Sequence, residues 1–338
     1  GGSRGGTGAA LAANFAMLGT GSDTGQSIRS PASACSLVGV RPTRGLVSRS
    51  GIVPNSFTQD EAGPIARTVR DAAILLDVMA GYDPADPVTA FGIGKAAQGY
   101  AASLRPDALK GARIGVLSNL FGSDVRHAEV NRVMQQAMRA MEEAGATLVH
   151  FGLPGLDELL AIVSTDRFEA QPAFDHYLGS LGDSAPMKSF RHLVEGRTAT
   201  PVVQLAMDAE IALGDSLNDT RYKDGMLARD KLRLMVAGEM AGRSLDAILY
   251  PLQRVLVASM DAAEQLERNG ALSHGTGFPA VTFPAGFSSP SASAPIGVPV
   301  GAELLGRDYG EALLLSLALS LEQAAQVRRP PSSTPALA

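Results

Sequence analysis

The sequence predicts a single α/β domain in which helices cover a β-sheet. Residues 113–117, 128–144 and 147–151 follow one another as an apolar strand, an amphipathic helix and a second apolar strand, which is the βαβ order of such a sheet. The chain has 338 residues, 45% of them hydrophobic, so it can bury a large core. This length would allow two domains, but no linker or internal repeat divides the chain, and we therefore expect one.

The N-terminal third predicts short elements around a glycine-rich segment. Ala9 to Leu18 is rich in small residues and predicts a buried helix that ends at Gly19. The apolar runs Leu37 to Val40 and Leu46 to Val53 predict short strands. Val69 to Gly81 has apolar residues at helical spacing and stops at a glycine, which predicts a second helix.

Beyond residue 81, the patterns predict a loop, the strand–helix–strand unit and a long helical region. Asp, Pro, Gly and Ala dominate Tyr82 to Tyr100, which predicts a surface loop. Residues 156–242 have mostly helical patterns, and we expect them to pack over the site and to select the substrate. The remaining predicted features are turns at Gly179-Ser180, Gly196 and Gly214, a strand from Leu245 to Leu252 and a closing helix from Gly310 to Val327.

Composition argues against several classes of partner. The formal net charge is -5, lysine and arginine are dispersed, and aromatic residues make up 5% with no tryptophan, so we expect no nucleic acid partner. No apolar run reaches the ~18 residues that a membrane helix needs, so we expect no membrane span. No signal peptide is visible, and a cytoplasmic location is the default. The single cysteine, Cys35, excludes an intramolecular disulfide.

Metal and nucleotide sites have little support in the sequence. Gly19-Thr20-Gly21 with Gly25 lacks the spacing of a dinucleotide fingerprint, and no lysine follows these glycines as in a P-loop. The five histidines are scattered without the spacing of metal ligands: His127, His150, His176, His192 and His274.

Two serines lie in segments where glycine lets the backbone approach a ligand closely. Ser3 lies in Gly1-Gly2-Ser3-Arg4-Gly5-Gly6, and Ser27 lies in the run from Gly21 to Arg29. Taken singly, a serine in such a turn more often caps the following segment, and Asp23 in the same run suits an Asx-turn. For joint catalysis, the fold would have to bring the two hydroxyls together.

The surrounding blocks resemble those of the amidase signature family of serine hydrolases. They occur in the same order and at the same spacing as in that family. The matching blocks are Gly1 to Gly6, Gly21 to Pro31, Val40 to Gly45, Asp60 to Thr68, and more weakly Gly277 to Gly286 and Gly297 to Gly301. This resemblance implies a large mixed, mostly parallel sheet with helices on both faces. The tail with Arg328-Arg329-Pro330-Pro331 is most similar to the peptide-amidase and acylamidase branch.

The family's Ser-cisSer-Lys triad implies roles for both serines. Ser27 matches the nucleophile, which attacks an amide carbonyl to form an acyl-enzyme that water then hydrolyses, without metal or organic cofactor. Ser3 matches the bridging serine, on a cis peptide after Gly2, which relays the proton towards a neutral lysine. The substrate would be an aryl, aliphatic or peptide amide.

The resemblance also implies a site for the developing oxyanion. The N-H groups of Thr24, Gly25, Gln26 and Ser27 match the oxyanion-hole positions, and Asp23 and Arg29 would support that loop. Gln26 replaces the glycine most common at its position, so the loop must tolerate a side chain. Arg4 replaces the family's usual second serine, and neither change removes a catalytic hydroxyl.

The family's catalytic lysine lies upstream of its bridging serine and has no match in residues 1–338. The five lysines all lie downstream, outside any matching block: Lys95, Lys110, Lys188, Lys223 and Lys231. We therefore expect residues 1–338 to be an amidase signature domain that lacks the N-terminal segment with the lysine. That segment or a second chain would supply the base, and a homodimer is one candidate assembly. A non-catalytic, amide-binding subunit is the alternative.

A second alternative is an esterase of the α/β-hydrolase type. Gly1-Gly2-Ser3-Arg4-Gly5 satisfies the Gly-x-Ser-x-Gly nucleophile elbow, and His274 follows late in the chain, as that triad order requires. For the amidase, we expect the pocket walls to include Ser56-Phe57-Thr58-Gln59 and Tyr250-Pro251-Leu252-Gln253.

Overall fold

The computed structural model describes residues 2–95, 99–259, 262, 265–331 and 333–334, which form one sheet with helices on both sides. The strands are β1 (Leu18–Asp23), β2 (Val38–Arg41), β3 (Glu61–Ala66), β4 (Arg113–Leu117), β5 (Thr147–Phe151), β6 (Ala247–Pro251), β7 (Ala280–Phe287) and β8 (Pro299–Leu305). The helices are α1 (Gly5–Ala12), α2 (Arg29–Ala34), α3 (Val69–Met79), α4 (Ala128–Glu143), α5 (Leu156–Leu160), α6 (Asp166–Ser180), α7 (Phe190–Glu195), α8 (Pro201–Ala212), α9 (Thr220–Gly242), α10 (Ala271–Thr276) and α11 (Glu311–Ala325). Short 3₁₀ turns cover Pro87–Gly92, Ser118–Leu120, Val125–His127, Gly182–Ser184 and Ser216–Asn218.

The sheet is mixed, with the strand order β1-β3-β2-β7-β8-β6-β4-β5. Only β4 pairs in parallel, with β5 on one side and β6 on the other, and the other neighbours are antiparallel. The expectation of a mostly parallel sheet is therefore wrong. Parallel neighbours need a long crossover, which α4 and the helices α5 to α9 provide, whereas residues 288–298 join β7 to β8 as an antiparallel pair.

Both faces of the sheet are buried under helices. Along β6, Ala247 and Leu249 pack into the cluster that contains α3, α4 and α11, while Ile248 and Tyr250 pack into the cluster that contains α9. This alternation is the period of two that a strand imposes on its side chains. The α2 helix covers the same side as α9, near β2, where it holds the loop that precedes it against the sheet.

Most predicted elements occur where the patterns put them. The βαβ unit is found as β4, α4 and β5, and α3, β6 and α11 agree with their predictions to within a few residues. Residues 156–242 are largely helical, and chain turns follow Gly196 and Gly214. The predicted turn at Gly179-Ser180 instead forms the last residues of α6. Residues 96–98 of the predicted loop from Tyr82 to Tyr100 lie outside the described residues, and Pro87–Gly92 in it forms a 3₁₀ turn.

Two predictions near the glycine-rich segment are wrong. The predicted helix from Ala9 to Leu18 begins earlier and ends at Ala12, because Asn14 adopts a left-handed φ of 63° and Leu18 already starts the edge strand β1. The predicted strand from Leu46 to Val53 is a series of turns. Gly45 and Gly51 have φ values of 84° and 78°, which a strand does not accommodate. Among the described helices, none combines the length and apolar composition that crossing a membrane requires.

Candidate active site

The structure brings the two predicted serines to one cavity. Ser27 lies in the loop between β1 and α2, and Ser3 precedes α1. Both line a cavity of about 380 Å³ together with Arg4, Ser22, Thr24, Gly25, Val53, Asn55, Asp60 and Asp166. The N-H of Arg4 donates to the carbonyl of Ser27 at 3.3 Å, which ties the two segments together.

The two serines differ in exposure. Ser27 is half-buried and Ser3 is exposed, and the peptide bond between Gly2 and Ser3 is cis. Among the described residues, no hydrogen bond joins the hydroxyls of Ser3 and Ser27. The structure thus brings Ser3 and Ser27 to a common cavity, and the proton relay between them stays a prediction.

Asp23, the last residue of β1, anchors the loop from the interior of the protein. Its carboxylate is fully buried and accepts hydrogen bonds from the N-H of Ile28 at 3.1 Å, from Arg29 at 3.2 Å and from Arg41 at 2.9 Å. Burial alone would raise the pKa of Asp23, but Arg29 and Arg41 outweigh it and lower the pKa to about 2. Asp23 is therefore a fixed anion that supports the loop rather than a proton carrier.

Arg29, the first residue of α2, connects the loop to the centre of the sheet. Its guanidinium donates to Glu303 on β8 at 2.8 Å, and Glu303 also accepts from Tyr250 at 2.6 Å and from Thr282 at 2.8 Å. Burial disfavours the charged guanidinium, but Asp23 and Glu303 reverse this and raise the pKa of Arg29 above its ordinary value. Arg29 therefore stays charged although it is fully buried, and in such a low-dielectric interior its hydrogen bonds are stronger than in water.

Three consecutive carbonyls of the loop are held from the protein side. The carbonyl of Asp23 accepts from Arg41, that of Thr24 accepts from Gln59 at 3.4 Å, and that of Gly25 accepts from Arg29 at 2.5 Å. A trans peptide is planar, so the N-H of the following residue points the opposite way. The N-H groups of Thr24, Gly25 and Gln26 share these three peptide planes and therefore point away from the interior.

The loop N-H groups are free to bind a ligand. None of the hydrogen bonds between described residues uses the N-H of Thr24, Gly25, Gln26 or Ser27 as a donor, whereas those of Ile28 and Arg29 are taken by Asp23. A Cβ added at Gly25 would meet nothing within 4 Å, so this part of the loop borders open space. Unpaired donors beside a serine hydroxyl are the arrangement that can stabilise an oxyanion.

The loop accommodates Gln26 by burying its side chain. The Oε1 atom of Gln26 accepts from the N-H of Gly270 at 3.1 Å, and a Cβ on Gly270 would lie 2.6 Å from the Cβ of Gln26. Gly270 therefore supplies the space that the side chain needs. The guanidinium of Arg4 donates to the hydroxyl of Ser22, so the second departure from the family pattern adds a contact between the residue that precedes α1 and β1.

A second cavity of about 560 Å³ adjoins the first, since Ser22 and Asp60 line both. Residues of α6 line each of them, Asp166 the smaller cavity and His176 the larger. This agrees with the expectation that residues 156–242 pack over the site. Burial raises the pKa of Asp166. Burial also raises the pKa of Glu61, which lines the larger cavity, to about 7. This occurs despite the opposing effect of three nearby arginines: Arg41, Arg49 and Arg44.

The predicted wall segments have different outcomes. Ser56 and Phe57 line the larger cavity, while Thr58 and Gln59 lie beneath it and bond to Glu169 and Thr165 on the helical region. Residues 250–253 are buried and line neither cavity, so that prediction is wrong. Tyr250 instead donates its hydroxyl to Glu303.

His274 does not join Ser3, so the elbow arrangement is not formed. The imidazole is buried on α10, with Gln59 at 2.9 Å from Nδ1 and Ser164 at 3.5 Å from Nε2, and His274 does not line the cavity that holds Ser3. Burial and nearby arginines hold the pKa of His274 well below its ordinary value. A base in that triad would need to contact the serine.

None of the five lysines lines the cavity of Ser3 and Ser27. A lysine supplied from outside residues 1–338 stays a prediction. Within the described residues, no group of three or more His, Cys, Asp or Glu side chains is arranged to hold a metal ion.

Three residues that shape the site were missed by sequence reasoning or given another role: Arg41 and Glu303 had none, and Gln59 was predicted only as part of a pocket wall. Arg41 lies in a matched block, but its side chain binds the carboxylate of Asp23, 18 residues away in the sequence. Glu303 lies 274 residues from its partner Arg29. The one local signal for Glu303 is an acidic residue inside the otherwise uncharged run from Gly297 to Leu305.

Comparisons with known proteins give a consistent result. A family model described as Amidase matches residues 1–315. Two proteins named as a subunit of glutamyl-tRNA(Gln) amidotransferase, from Thermoanaerobacter pseudethanolicus and from Beijerinckia indica, are 31% and 34% identical to this chain, and each match covers 98% of this chain and 68% of the relative. The native peptide amidase from Stenotrophomonas maltophilia aligns with a TM-score of 0.81 at 31% identity, covering 96% of this chain and 66% of that one. The chain thus spans about two thirds of the length of its relatives.

Proposed function

The chain belongs to the amidase family, and from this membership we propose that it hydrolyses a carboxylic amide to an acid and an amine or ammonia through a seryl acyl-enzyme. The observation that carries the proposal is the geometry of the loop before Ser27. The carbonyls of Asp23, Thr24 and Gly25 accept hydrogen bonds from interior side chains, and the N-H groups from Thr24 to Ser27 stay unpaired beside the serine cavity. Fixed donors of this kind stabilise the charge that develops when an alcohol attacks an amide.

In this mechanism, the hydroxyl oxygen of Ser27 attacks the amide carbon and its proton passes to Ser3. The carbonyl oxygen becomes an oxyanion bound by the loop N-H groups. Collapse of the tetrahedral intermediate breaks the C-N bond, and the relayed proton leaves with the amine. Water then attacks the acyl-enzyme, returns its proton along the same path and releases the acid.

The base in this proposal is a lysine from outside residues 1–338, carried by a preceding segment or by a second chain. Burial would keep its amine neutral at neutral pH, as the proton relay requires. Two of the relatives are named as subunits of an amidotransferase, which favours an assembly of several chains as the setting to search for this lysine.

The substrate class in this proposal is an aryl, aliphatic or peptide amide. The adjoining cavities of about 380 and 560 Å³ share two walls and together leave room for substituents on both sides of the scissile bond. The similarity to a peptide amidase favours a peptide amide as the first substrate to test.

The test combines labelling and turnover. We expect a fluorophosphonate to modify the protein and Ser27→Ala to abolish both this modification and the hydrolysis of amide substrates. Ser184→Ala, at an exposed serine outside the cavities, is the matched control and should behave as the wild type. Labelling that survives in Ser27→Ala but disappears in Ser3→Ala would contradict the assignment.

A non-catalytic, amide-binding subunit is the second candidate, because none of the five lysines lines the serine cavity. Intact-mass analysis of the native particle distinguishes the two, since an amidase must contain a lysine-bearing segment or chain at the site. A native particle that contains no lysine-bearing segment or second chain and binds peptide amides without cleaving them would support the non-catalytic role.

A further inference from the structure

His274 is a buried titratable residue that the proposed mechanism does not use. The residue is 4% exposed, lies on α10 and does not line the serine cavity. Two polar groups face its ring, the amide of Gln59 at 2.9 Å from Nδ1 and the hydroxyl of Ser164 at 3.5 Å from Nε2.

The neighbours of Gln59 determine which nitrogen of His274 carries the proton. The Oε1 atom of Gln59 accepts from the N-H of Thr165 at 2.6 Å and from its hydroxyl at 3.0 Å, so the NH₂ group of the amide must be the end that faces His274. That group can only donate, and Nδ1 is therefore the acceptor. The imidazole is neutral with its proton on Nε2, as expected for a buried ring near Arg41, Arg29 and Arg229.

Gln59 transmits this constraint to the loop. Its NH₂ group has two hydrogens, of which one goes to His274 and the other to the carbonyl of Thr24 at 3.4 Å. That carbonyl belongs to the same peptide plane as the N-H of Gly25. A fixed Gln59 amide therefore fixes the direction of a donor that borders the serine cavity.

We propose that His274 is a positioning residue for amide hydrolysis, which acts through Gln59 to hold the Thr24–Gly25 peptide with the Gly25 N-H facing the serine cavity. The inference rests on the proposed function and adds to it a contact between the loop and the helical region. Oε1 of Gln59 also accepts from Arg229 on α9 at 3.3 Å, so the same amide joins the loop to α9 and to Thr165, the residue that precedes α6.

The test uses substitutions that distinguish the loss of the hydrogen-bond acceptor from the loss of the packing of the ring. His274→Leu removes the acceptor, while His274→Asn keeps an oxygen near the position of Nδ1. We expect His274→Leu to lower kcat by about tenfold with KM within about twofold, because a donor that is misdirected in the transition state affects kcat. His274→Asn should recover most of the rate. His150→Gln, at an exposed histidine of β5, is the control and should match the wild type.

A double-mutant cycle tests whether His274 acts through Gln59. The variant with both Gln59→Leu and His274→Leu should be no slower than Gln59→Leu alone, because the second substitution then removes nothing further. Effects that multiply, or equal losses in His274→Leu and His274→Asn, would overturn the inference and indicate a packing role only.

A measurement that does not depend on turnover tests the positioning role of His274 independently of the proposed function. The amide resonance of Gly25 in the ¹H-¹⁵N spectrum should move in His274→Leu and return towards its wild-type position in His274→Asn. An unchanged Gly25 resonance in His274→Leu would overturn the inference even in a protein that hydrolyses amides. A wild type with neither turnover nor labelling would refute the proposed function, and the resonance would still decide whether His274 positions the loop.

Discussion

Replacing Arg29 by methionine should strongly destabilise the protein, because Arg29 is the buried cation that joins the loop to the sheet. The substitution leaves Glu303 with only the hydroxyls of Tyr250 and Thr282, and it removes one of the two arginines that neutralise Asp23. Removing one partner of a buried ion pair costs about 3 to 5 kcal/mol. A chain of 338 residues has an unfolding entropy of about 0.7 kcal/mol per kelvin, so the loss lowers Tm by about 6 °C.

The assay is unfolding by urea and by heat at pH 7, followed by circular dichroism. Arg139→Met is the matched control, since Arg139 is exposed on α4 and its removal should change the free energy of unfolding by no more than about 0.5 kcal/mol. If Arg29→Met were no less stable than Arg139→Met, the ion pairs of Arg29 with Asp23 and Glu303 would not support the loop, and the reasoning would be wrong.

Two further substitutions test other parts of the site. The pKa of Glu61 is raised from 4.5 to about 7 in the folded protein, so its contribution to stability is present below pH 4.5 and is lost as the pH rises through 7. Glu61→Gln should therefore raise the free energy of unfolding at pH 8 by up to about 3 kcal/mol and give no gain at pH 4, as measured by urea unfolding at both values. Gly270→Ala should cost about 1 to 3 kcal/mol, because its Cβ would lie 2.6 Å from the Cβ of Gln26, and adding Gln26→Gly should restore stability. Persistence of the loss in the double variant would show that another neighbour causes the clash.

Local patterns predicted the elements whose signals lie in adjacent residues. The β4-α4-β5 unit combines a helical apolar face with short apolar strands, and both features can be read from consecutive residues. The strands β3, β7 and β8 had no prediction, because β3 contains Gly63-Pro64 and β7 is interrupted between Pro284 and Gly286, where the register shifts. Their pairing partners determine these strands, and those partners lie far away in the sequence.

The same distinction applies to the site. Ser3 and Ser27 were found from short blocks, and the family resemblance that they carried is confirmed by the match over residues 1–315. Glu303 could not be found in this way, since its contact with Arg29 spans 274 residues, and the pair of Gln59 and His274 spans 215. Buried polar partners of this kind follow from the tertiary packing around the loop, which local patterns do not describe.

The most direct test of the account is a crystal structure of the protein after reaction with a fluorophosphonate. We predict a phosphorus atom bonded to the hydroxyl oxygen of Ser27 and a phosphoryl oxygen about 2.7 to 3.1 Å from at least two of the N-H groups of Thr24, Gly25, Gln26 and Ser27. Phosphorus bonded to any other residue, or a phosphoryl oxygen turned away from these N-H groups, would contradict it.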